Sequence, residues 1–580
     1  MFTLGINAAF HDCAAALVRD GEVLAAAEEE RFTRIKHGKR PLPFTAWQLP
    51  FHAIDYCLAQ AGIHLREVDH IAYSFDPALL DQSAVTPQGD ICLPLQPSAR
   101  RSPDAMSSPW DPLFLSYVCN APRQLAAGAP LHLAERFADT PLETIIERWV
   151  YLDHHLCHEA SAYLAAPAAD SAVLTMDGRG EGVTTSYGHF HHGKYRRLKQ
   201  IAMPHSLGLL YEDVTRYLGF LHASDEYKVM ALASYGKPVY LGAMREILRL
   251  EENGGFSLEP ARLTERFGPA RRKGEPFEER HQNIASSLQY ALEETALHMA
   301  TWLHAQTGAH DLTMAGGVAL NCVMNARIAR DGPFERVWVQ PAAGDAGTAL
   351  GAALYVDHDR GAGQRRWRMD HAYLGPSYAD EEIERALINA HLGYRRLANV
   401  AEEAAALLAQ DKILAWFQGR MEFGPRALGA RSILASPLNG EMQARLNRLK
   451  DREDFRPVAP VVLEERAHEW FVPHRSGRIQ APFMLFVYDV PDHCAERIPA
   501  VRHTDGTARV QTVSRDQNPR YYDLIKAFEN RTGVPVLVNT SFNTRSRPIA
   551  CTPGDALEAF FTSPLDALVM GSYLVEKPHG

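Results

Sequence analysis

Cysteine is scarce and dispersed in this chain: eight residues among 580, at Cys13, Cys57, Cys92, Cys119, Cys157, Cys322, Cys494 and Cys551, with no C-x-x-C spacing. That excludes a disulfide framework and a zinc knuckle, and it fits reduced thiols in a cytoplasm. Basic excess is also missing, since 60 Lys and Arg face 70 Asp and Glu for a formal net charge of −10. A broad nucleic-acid or anionic-membrane footprint needs the opposite balance, so neither partner is expected and any phosphate chemistry must use local basic clusters. No uncharged apolar run reaches the ~18 residues of a membrane span, and no basic region precedes the short apolar run in Met1–Asp12. The protein is therefore expected to be soluble, unexported and cytoplasmic. The phosphate-loop pattern G-x-x-x-x-G-K-[ST] is absent as well, which removes the commonest nucleotide site.

What is present is a multidomain globular chain. Hydrophobic residues make up 46% and charged residues 22% of it, and 580 residues call for about two to four domains. The chain opens with strand-like Phe2–Asn7, a turn at His11-Asp12, Ala14–Val18, the tight turn Asp20-Gly21, and Glu22–Ala27. The same order returns at Ser171–Met176, followed by Asp177-Gly-Arg-Gly-Glu-Gly182, Val183–Phe190, the His192-Gly193 turn and Tyr195–Met203. A duplicated half-domain is the physical reading. Two such halves, with Ala315-Gly-Gly-Val-Ala-Leu-Asn-Cys322 further on, resemble the actin, Hsp70 and sugar-kinase architecture, which binds nucleotide between its halves. Residues 79–130, rich in Pro, Ser and Arg, read as a surface insertion. The polar segment Asp357–Arg368 after an Ala-rich helix reads as a linker, which divides the chain at 1–360 and 369–580.

His154 and His158 are spaced i, i+4 at the start of a run rich in helix formers, so both imidazoles project from one face and can share a metal, while His155 points elsewhere. Asp177 and Asp345 sit in glycine turns where a short carboxylate can reach a cation at a strand end. Imidazole and carboxylate without thiolate fit Fe(II), Zn or Mn alike. In the second half, Lys412 to Arg456 carries nine basic residues against five acidic ones. Arg426 and Arg431 lie there in Gly419–Ser432, a loop broken by Gly419, Gly424, Pro425 and Gly429 after the buried-strand pattern Ile413–Phe417. It reads as an anion-binding loop in which glycine lets backbone N–H groups approach an oxyanion and guanidinium grips it. Arg509 and the polar turn Asn539-Thr-Ser-Phe-Asn543 add donors at the ends of later strands.

Phe10-His-Asp12, Glu28–His37, His154–His158, Pro204–Tyr211, Gly316–Asn321, Gly344-Asp345, Gly419–Ser432, Phe455–Pro460 and Asn539–Asn543 together resemble, in order and across nearly the whole chain, the NodU/CmcH-type O-carbamoyltransferases. The resemblance implies an α/β protein with a duplicated actin-like N-terminal domain and a YrdC-like C-terminal α/β domain, similar to the tRNA threonylcarbamoylation machinery. It implies two steps: ATP and carbamoyl phosphate give carbamoyl-adenylate in the C-terminal domain, and a substrate hydroxyl takes the carbamoyl group in the N-terminal domain, releasing AMP. It further implies a metal, typically iron, on His154, His158, Asp177 and Asp345, with Asp177 also facing the adenylate, and Mg(2+) accompanying ATP. Gly316, Gly317 and Asn321 match the adenosine side, and His11 matches a position that orients or deprotonates the acceptor hydroxyl. Lys450, Arg456, Arg509 and Ser541 match the grip on carbamoyl phosphate and the ATP phosphates, with Lys36 reaching over from the N-terminal domain and Arg426, Arg431 and Asn539 in the same shell. The expected partners are small molecules, including a hydroxyl acceptor of antibiotic, toxin or glycan type; homodimerisation is left open. This chain departs from the family at Ser546-Arg547, where Gly-Glu is usual, and at Tyr227 and Ala231, where glycine is usual. A sugar-kinase-like phosphotransferase and a non-catalytic nucleotide-binding scaffold are the alternatives, and the basic C-terminal loop speaks against both because neither needs a second anion site.

Overall fold

The computed structural model describes residues 1–38, 49–79, 114, 117–128, 137, 139–361, 363, 365–475, 477–544 and 547–577. Most of the 79–130 insertion, with Cys92 and Ser546, lies outside them. Five strands open the chain: β1 (Phe2–Asn7), β2 (Ala14–Arg19), β3 (Glu22–Glu28), β4 (His70–Tyr73) and β5 (Trp149–Tyr151). They form a sheet of order β3-β2-β1-β4-β5, antiparallel through β1 and β2 and parallel from β1 to β5.

The meander recurs in β6 (Ser171–Met176), β7 (Val183–His191) and β8 (Lys194–Ala202). After a short hairpin of β9 (Leu248–Leu250) and β10 (Phe256–Leu258), strands β11 (Asp311–Ala315) and β12 (Arg336–Val339) extend the sheet in parallel on the far side of β6. The order β8-β7-β6-β11-β12 repeats that of the first sheet, strand for strand. The expected duplication is therefore present. Its cause is legible in each half: an antiparallel meander closed by a two-residue turn (Asp20-Gly21, His192-Gly193), then parallel strands that need helical crossovers.

Helix packing between the two sheets positions the first half of the site. The helix Ala346–Arg360 lies against β1 and β2 and against the helix His154–Tyr163. Gly351 makes the helix pair possible, because a Cβ there would sit 1.8 Å from the Cys157 carbonyl oxygen. Small residues on β2, Ala14 and Ala16, are fully buried and let the same helix settle close.

The C-terminal half is a mixed eight-stranded sheet. It uses β13 (Arg395–Arg396), β14 (Leu414–Phe417), β15 (Arg431–Ala435), β16 (Ala459–Leu463), β19 (Gln511–Val513), β20 (Val536–Ser541), β21 (Ala567–Met570) and β22 (Tyr573–Glu576), in the order β13-β22-β21-β14-β15-β20-β16-β19. A separate ribbon pairs β17 (Val487–Asp489) with β18 (Thr507–Arg509). The core strands β14, β15, β16 and β21 are buried along their whole length, which matches the unbroken apolar sequence of β14, β16 and β21; β15 buries Arg431 and Ser432 at its start. The α/β expectation holds for both halves.

Buried polar contacts tie the halves together. Arg31 donates to Glu28 and to the Gly424 carbonyl, Gly424 N–H donates to Glu28 at 2.9 Å, Arg34 donates to the carbonyls of Pro548 and Ile549, and Lys228 pairs with Glu453 at 2.9 Å. Among the described residues, no helix is long and apolar enough to cross a membrane.

Candidate functional site

Between the halves lies a cavity of about 440 Å³, lined from one side by the ends of β1, β6 and β11 and from the other by the ends of β18 and β20. Ligand sites at the carboxyl ends of parallel strands follow from the topology, because the loops there diverge and leave room.

At one end of the cavity stands a group of four ligand-capable side chains. His154 and His158 project from one face of their helix, Asp177 follows β6 and Asp345 precedes the helix Ala346–Arg360. Their ligand atoms all lie within 4.8 Å of one another, and all four side chains are buried. His154 Nε2 is 3.7 Å from Asp177 and 3.6 Å from Asp345, while His158 Nε2 is 3.9 and 3.7 Å from the same oxygens. These separations are slightly longer than the roughly 3.4 Å edges of a tetrahedron around one ion with bonds of about 2.1 Å, so a small inward movement lets all four share an ion.

Surrounding groups prepare these atoms. His154 Nδ1 donates to the Ser74 carbonyl at 3.1 Å, which leaves the Nε2 lone pair facing inward. Gly317 N–H donates to Asp177 Oδ1 at 2.7 Å and leaves Oδ2 for the centre. The Nε2 atoms of both histidines are buried with no hydrogen-bond partner among the described residues. Burial pulls the His154 imidazole down, but the carboxylates of Asp177 and Asp345 outweigh it and carry it well above the usual range. The quartet thus attracts positive charge, and a divalent ion fits the donor set. His155 does turn away, to Thr175 Oγ1 and the Val183 carbonyl.

The opposite end is cationic. Arg426, Arg452, Arg456 and Arg509 line it together with Asn539 and Ser541. Burial, then Arg509, lowers Arg426 to about 9; burial, then Arg456 and Arg509, lowers Arg452 to about 9. Arg426 Nε, Arg452 Nη2 and Arg509 Nε are buried with no hydrogen-bond partner among the described residues. Buried cations of like sign with unsatisfied N–H groups are costly, and a polyanion removes both penalties at once. Arg456 lies 4.7 Å above the Tyr227 ring, so the tyrosine at this family departure serves as a platform for the guanidinium.

The structure sorts the residues anticipated from sequence. His11, Lys36, Asp177, Gly317, Asn321, Asp345, Arg426, Arg456, Arg509, Asn539 and Ser541 all line the cavity. Gly316 stands behind Gly317 with φ +92°, and a Cβ there would meet the Met176 carbonyl oxygen at 2.1 Å. Asn321 also caps the helix Cys322–Asp331 by accepting from Met324 N–H. Lys450 is held behind the wall, donating to the Ser541 carbonyl, Ser541 Oγ and Asn543 at 2.6, 2.9 and 2.8 Å.

Two expectations are corrected. Arg431 does not face the cavity: its guanidinium donates to the carbonyls of Gln418, Gly419, Ala430 and Pro376 and stacks 3.7 Å from Phe417, so it holds the loop together. Several of the loop's backbone N–H groups are taken up within the protein as well. Glu422 accepts those of Leu428, Ala430 and Arg431, and Glu28 accepts that of Gly424. The loop satisfies these groups with carboxylates, chiefly its own Glu422, and presents Pro425, Arg426 and Ala427 to the cavity. Conversely, Arg452, Ser224, His37 and Asp12 line the cavity without having been singled out as site residues, and so does Tyr227, noted from sequence only as a departure from the family pattern. Asp12 and His37 end the motifs Phe10–Asp12 and Glu28–His37, and Arg452 lies in the basic stretch, so a signal existed for each.

Known proteins resemble this chain over most of its length. Residues 3–354 match the model described as carbamoyltransferase N-terminus, and residues 405–577 match that of the carbamoyltransferase C-terminus. An uncharacterized protein, sll1178, of Synechocystis sp. is 39% identical over 99% of this chain and 96% of its own length. Nodulation protein NolNO of Sinorhizobium fredii is 40% identical over 98% of this chain and 80% of its own. Nodulation protein NolO of Bradyrhizobium diazoefficiens is 42% identical over 73% of this chain and 79% of its own.

Proposed function

The chain belongs to the carbamoyltransferase family, and we propose that it is an ATP-dependent O-carbamoyltransferase that forms carbamoyl-adenylate at the arginine end of the cavity and discharges it onto a hydroxyl acceptor at the other. The observation that carries this reading is one continuous cavity whose two ends have opposite charge deficits. A mixed anhydride of carbamic acid is sensitive to water, so making and using it within one enclosed space protects it.

In this reading Arg426, Arg452, Arg456 and Arg509 hold the phosphates of carbamoyl phosphate and ATP, with Mg(2+) accompanying the nucleotide, and stabilise the charge that builds as pyrophosphate departs. Lys36 extends the same grip from the N-terminal half. Lys450 positions Ser541 and Asn543. Asn321 and the Gly316-Gly317 turn lie on the adenosine side. His154, His158, Asp177 and Asp345 would hold the metal, iron or another divalent ion, which when bound neutralises the phosphate of the leaving AMP. His11 stands beside Asp345, with Nε2 3.9 Å from its carboxylate, and orients the acceptor. The acceptor is a hydroxyl-bearing small molecule.

The test is nucleotide analysis with and without carbamoyl phosphate. Pyrophosphate that appears only with carbamoyl phosphate supports adenylation, whereas ADP as the product supports a phosphotransferase instead.

A further inference from the structure

Four non-glycine residues with left-handed backbone meet along one wall of the cavity: Phe10 (φ 53°), Asp12 (51°), His37 (65°) and Ala223 (55°). Each such conformation is sparsely populated by residues that carry a Cβ, and a cluster of them persists where the surroundings enforce a working geometry. What the strained segments hold is a chain of three side chains. Asp12 Oδ1 lies 2.8 Å from His37 Nδ1, and His37 Nε2 lies 2.9 Å from Ser224 Oγ.

Donor and acceptor roles follow from chemistry. A carboxylate only accepts, so His37 Nδ1 carries the proton and Nε2 presents the lone pair that takes the Ser224 hydroxyl hydrogen. Lys36 Nζ donates to the same Oγ at 3.4 Å. The imidazole is also fixed through its backbone: His37 N–H donates to Glu30 at 2.7 Å, and the His37 carbonyl accepts from Asp12 N–H at 3.1 Å. His11 takes the other oxygen of Asp12 at 3.0 Å and turns its Nε2 toward Asp345, so the two imidazoles share one carboxylate but face different partners. A hydroxyl within reach of a base, which is in turn oriented by a carboxylate, is the arrangement that activates hydroxyl groups for acyl transfer.

Resting on the carbamoyl-transfer reading, the geometry points to Ser224, His37 and Asp12 as the proton relay of the transfer step. As the acceptor oxygen attacks the carbamoyl carbon, its proton passes to Ser224 Oγ while the Ser224 proton passes to His37 Nε2. The acceptor O–C bond forms, the bond from the carbamoyl carbon to the phosphate oxygen breaks, and AMP leaves with that electron pair. One proton has moved from acceptor to His37, whose imidazolium is stabilised by Asp12. Ser224 touches the acceptor, and Asp12 is a positioning residue.

An organofluorophosphonate tests this without knowledge of the acceptor, because it labels a serine whose hydroxyl gives its proton to a neighbouring base, forming an Oγ–P bond and expelling fluoride. The full-length protein is expected to be labelled on the peptide containing Ser224. The label should disappear in Ser224→Ala and form about 100-fold more slowly or less in His37→Gln. Asp12→Asn keeps the side chain's shape, so slower labelling in that variant at wild-type thermal stability identifies loss of the relay rather than of the fold. Absence of label at Ser224 in the wild type, or labelling of His37→Gln and Asp12→Asn at the wild-type rate, overturns the relay. Carbamoyl-phosphate-dependent pyrophosphate release by the same preparation reports separately on the parent reading, so the two failures are told apart.

Discussion

The two ends of the cavity tolerate buried charge in opposite ways. At the His154 end, carboxylates and imidazoles face one another at 3.6–3.9 Å, so the ligand set is partly balanced and a cation completes it. At the Arg456 end, guanidinium groups crowd together, and burial plus mutual repulsion depresses Arg426 and Arg452. The first end is assembled by packing of two helices and two strand ends within one half. The second gathers side chains from a loop, a ribbon and a strand, and stays strained until an anion arrives. A preformed cluster of ligand-capable side chains at one end and an anion-dependent other end suit the proposed reaction, in which phosphates are captured first and their product is handed across.

The largest effect is expected at the metal end. His154→Ala removes a ligand whose Nε2 nothing else can replace, so bound metal, measured by elemental analysis, should fall to background and carbamoyl transfer should drop by about 10³-fold or more, while pyrophosphate release persists. Retention of metal and transfer would break the ligand assignment. Next, Arg456→Ala should slow carbamoyl-phosphate-dependent pyrophosphate release by about 10²–10³-fold, the usual cost of one charge-stabilising donor. An unchanged rate would remove Arg456 from the phosphate grip.

Stability should separate the two kinds of arginine. Arg431→Met leaves the Gln418 and Gly419 carbonyls without the guanidinium they accept from, removes a second donor from those of Ala430 and Pro376, and should destabilise the ligand-free protein by about 3 kcal/mol in chemical denaturation. Arg452→Met relieves repulsion and should instead stabilise it by about 1 kcal/mol. Shifts of the same sign would erase the distinction between a structural and a phosphate-binding guanidinium.

The last effect is a pH slope, spread over several pH units. Burial pushes the Glu226 carboxyl up to about 7, with Glu212 adding to the rise. The folded protein therefore keeps a proton that the unfolded chain, with its ordinary value near 4.5, has already released. Stability should fall by up to about 3 kcal/mol as pH rises from 4.5 to 7, and Glu226→Gln should flatten that part of the profile. Parallel profiles for parent and variant would contradict the assignment.

Periodicity and turn chemistry made much of this legible in the sequence. The repeated meanders at Phe2–Ala27 and Ser171–Met203 gave the duplicated sheets, and the i, i+4 spacing of His154 and His158 gave a shared face. The glycine turns marked Asp177 and Asp345 as carboxylates able to reach a cation, and the resemblance joined them to the two histidines as one ligand set. Arg431 misled because a guanidinium in a glycine-rich loop looks alike from sequence whether it grips a ligand or the loop's own carbonyls; only the placement of Gln418, Gly419, Ala430 and Pro376 decides. Glu422 was illegible for the same reason, since its acceptance of three N–H groups depends on the fold of the loop. The relay eluded the sequence because Ser224 and His37 are 187 residues apart and meet only where two strained turns converge.

The central claim is that both ends serve one anhydride. Its most direct test is to incubate the enzyme with ATP, with and without carbamoyl phosphate, and to resolve pyrophosphate, AMP and ADP. The account predicts pyrophosphate that requires carbamoyl phosphate. ADP formation, or no turnover with either mixture, would contradict it.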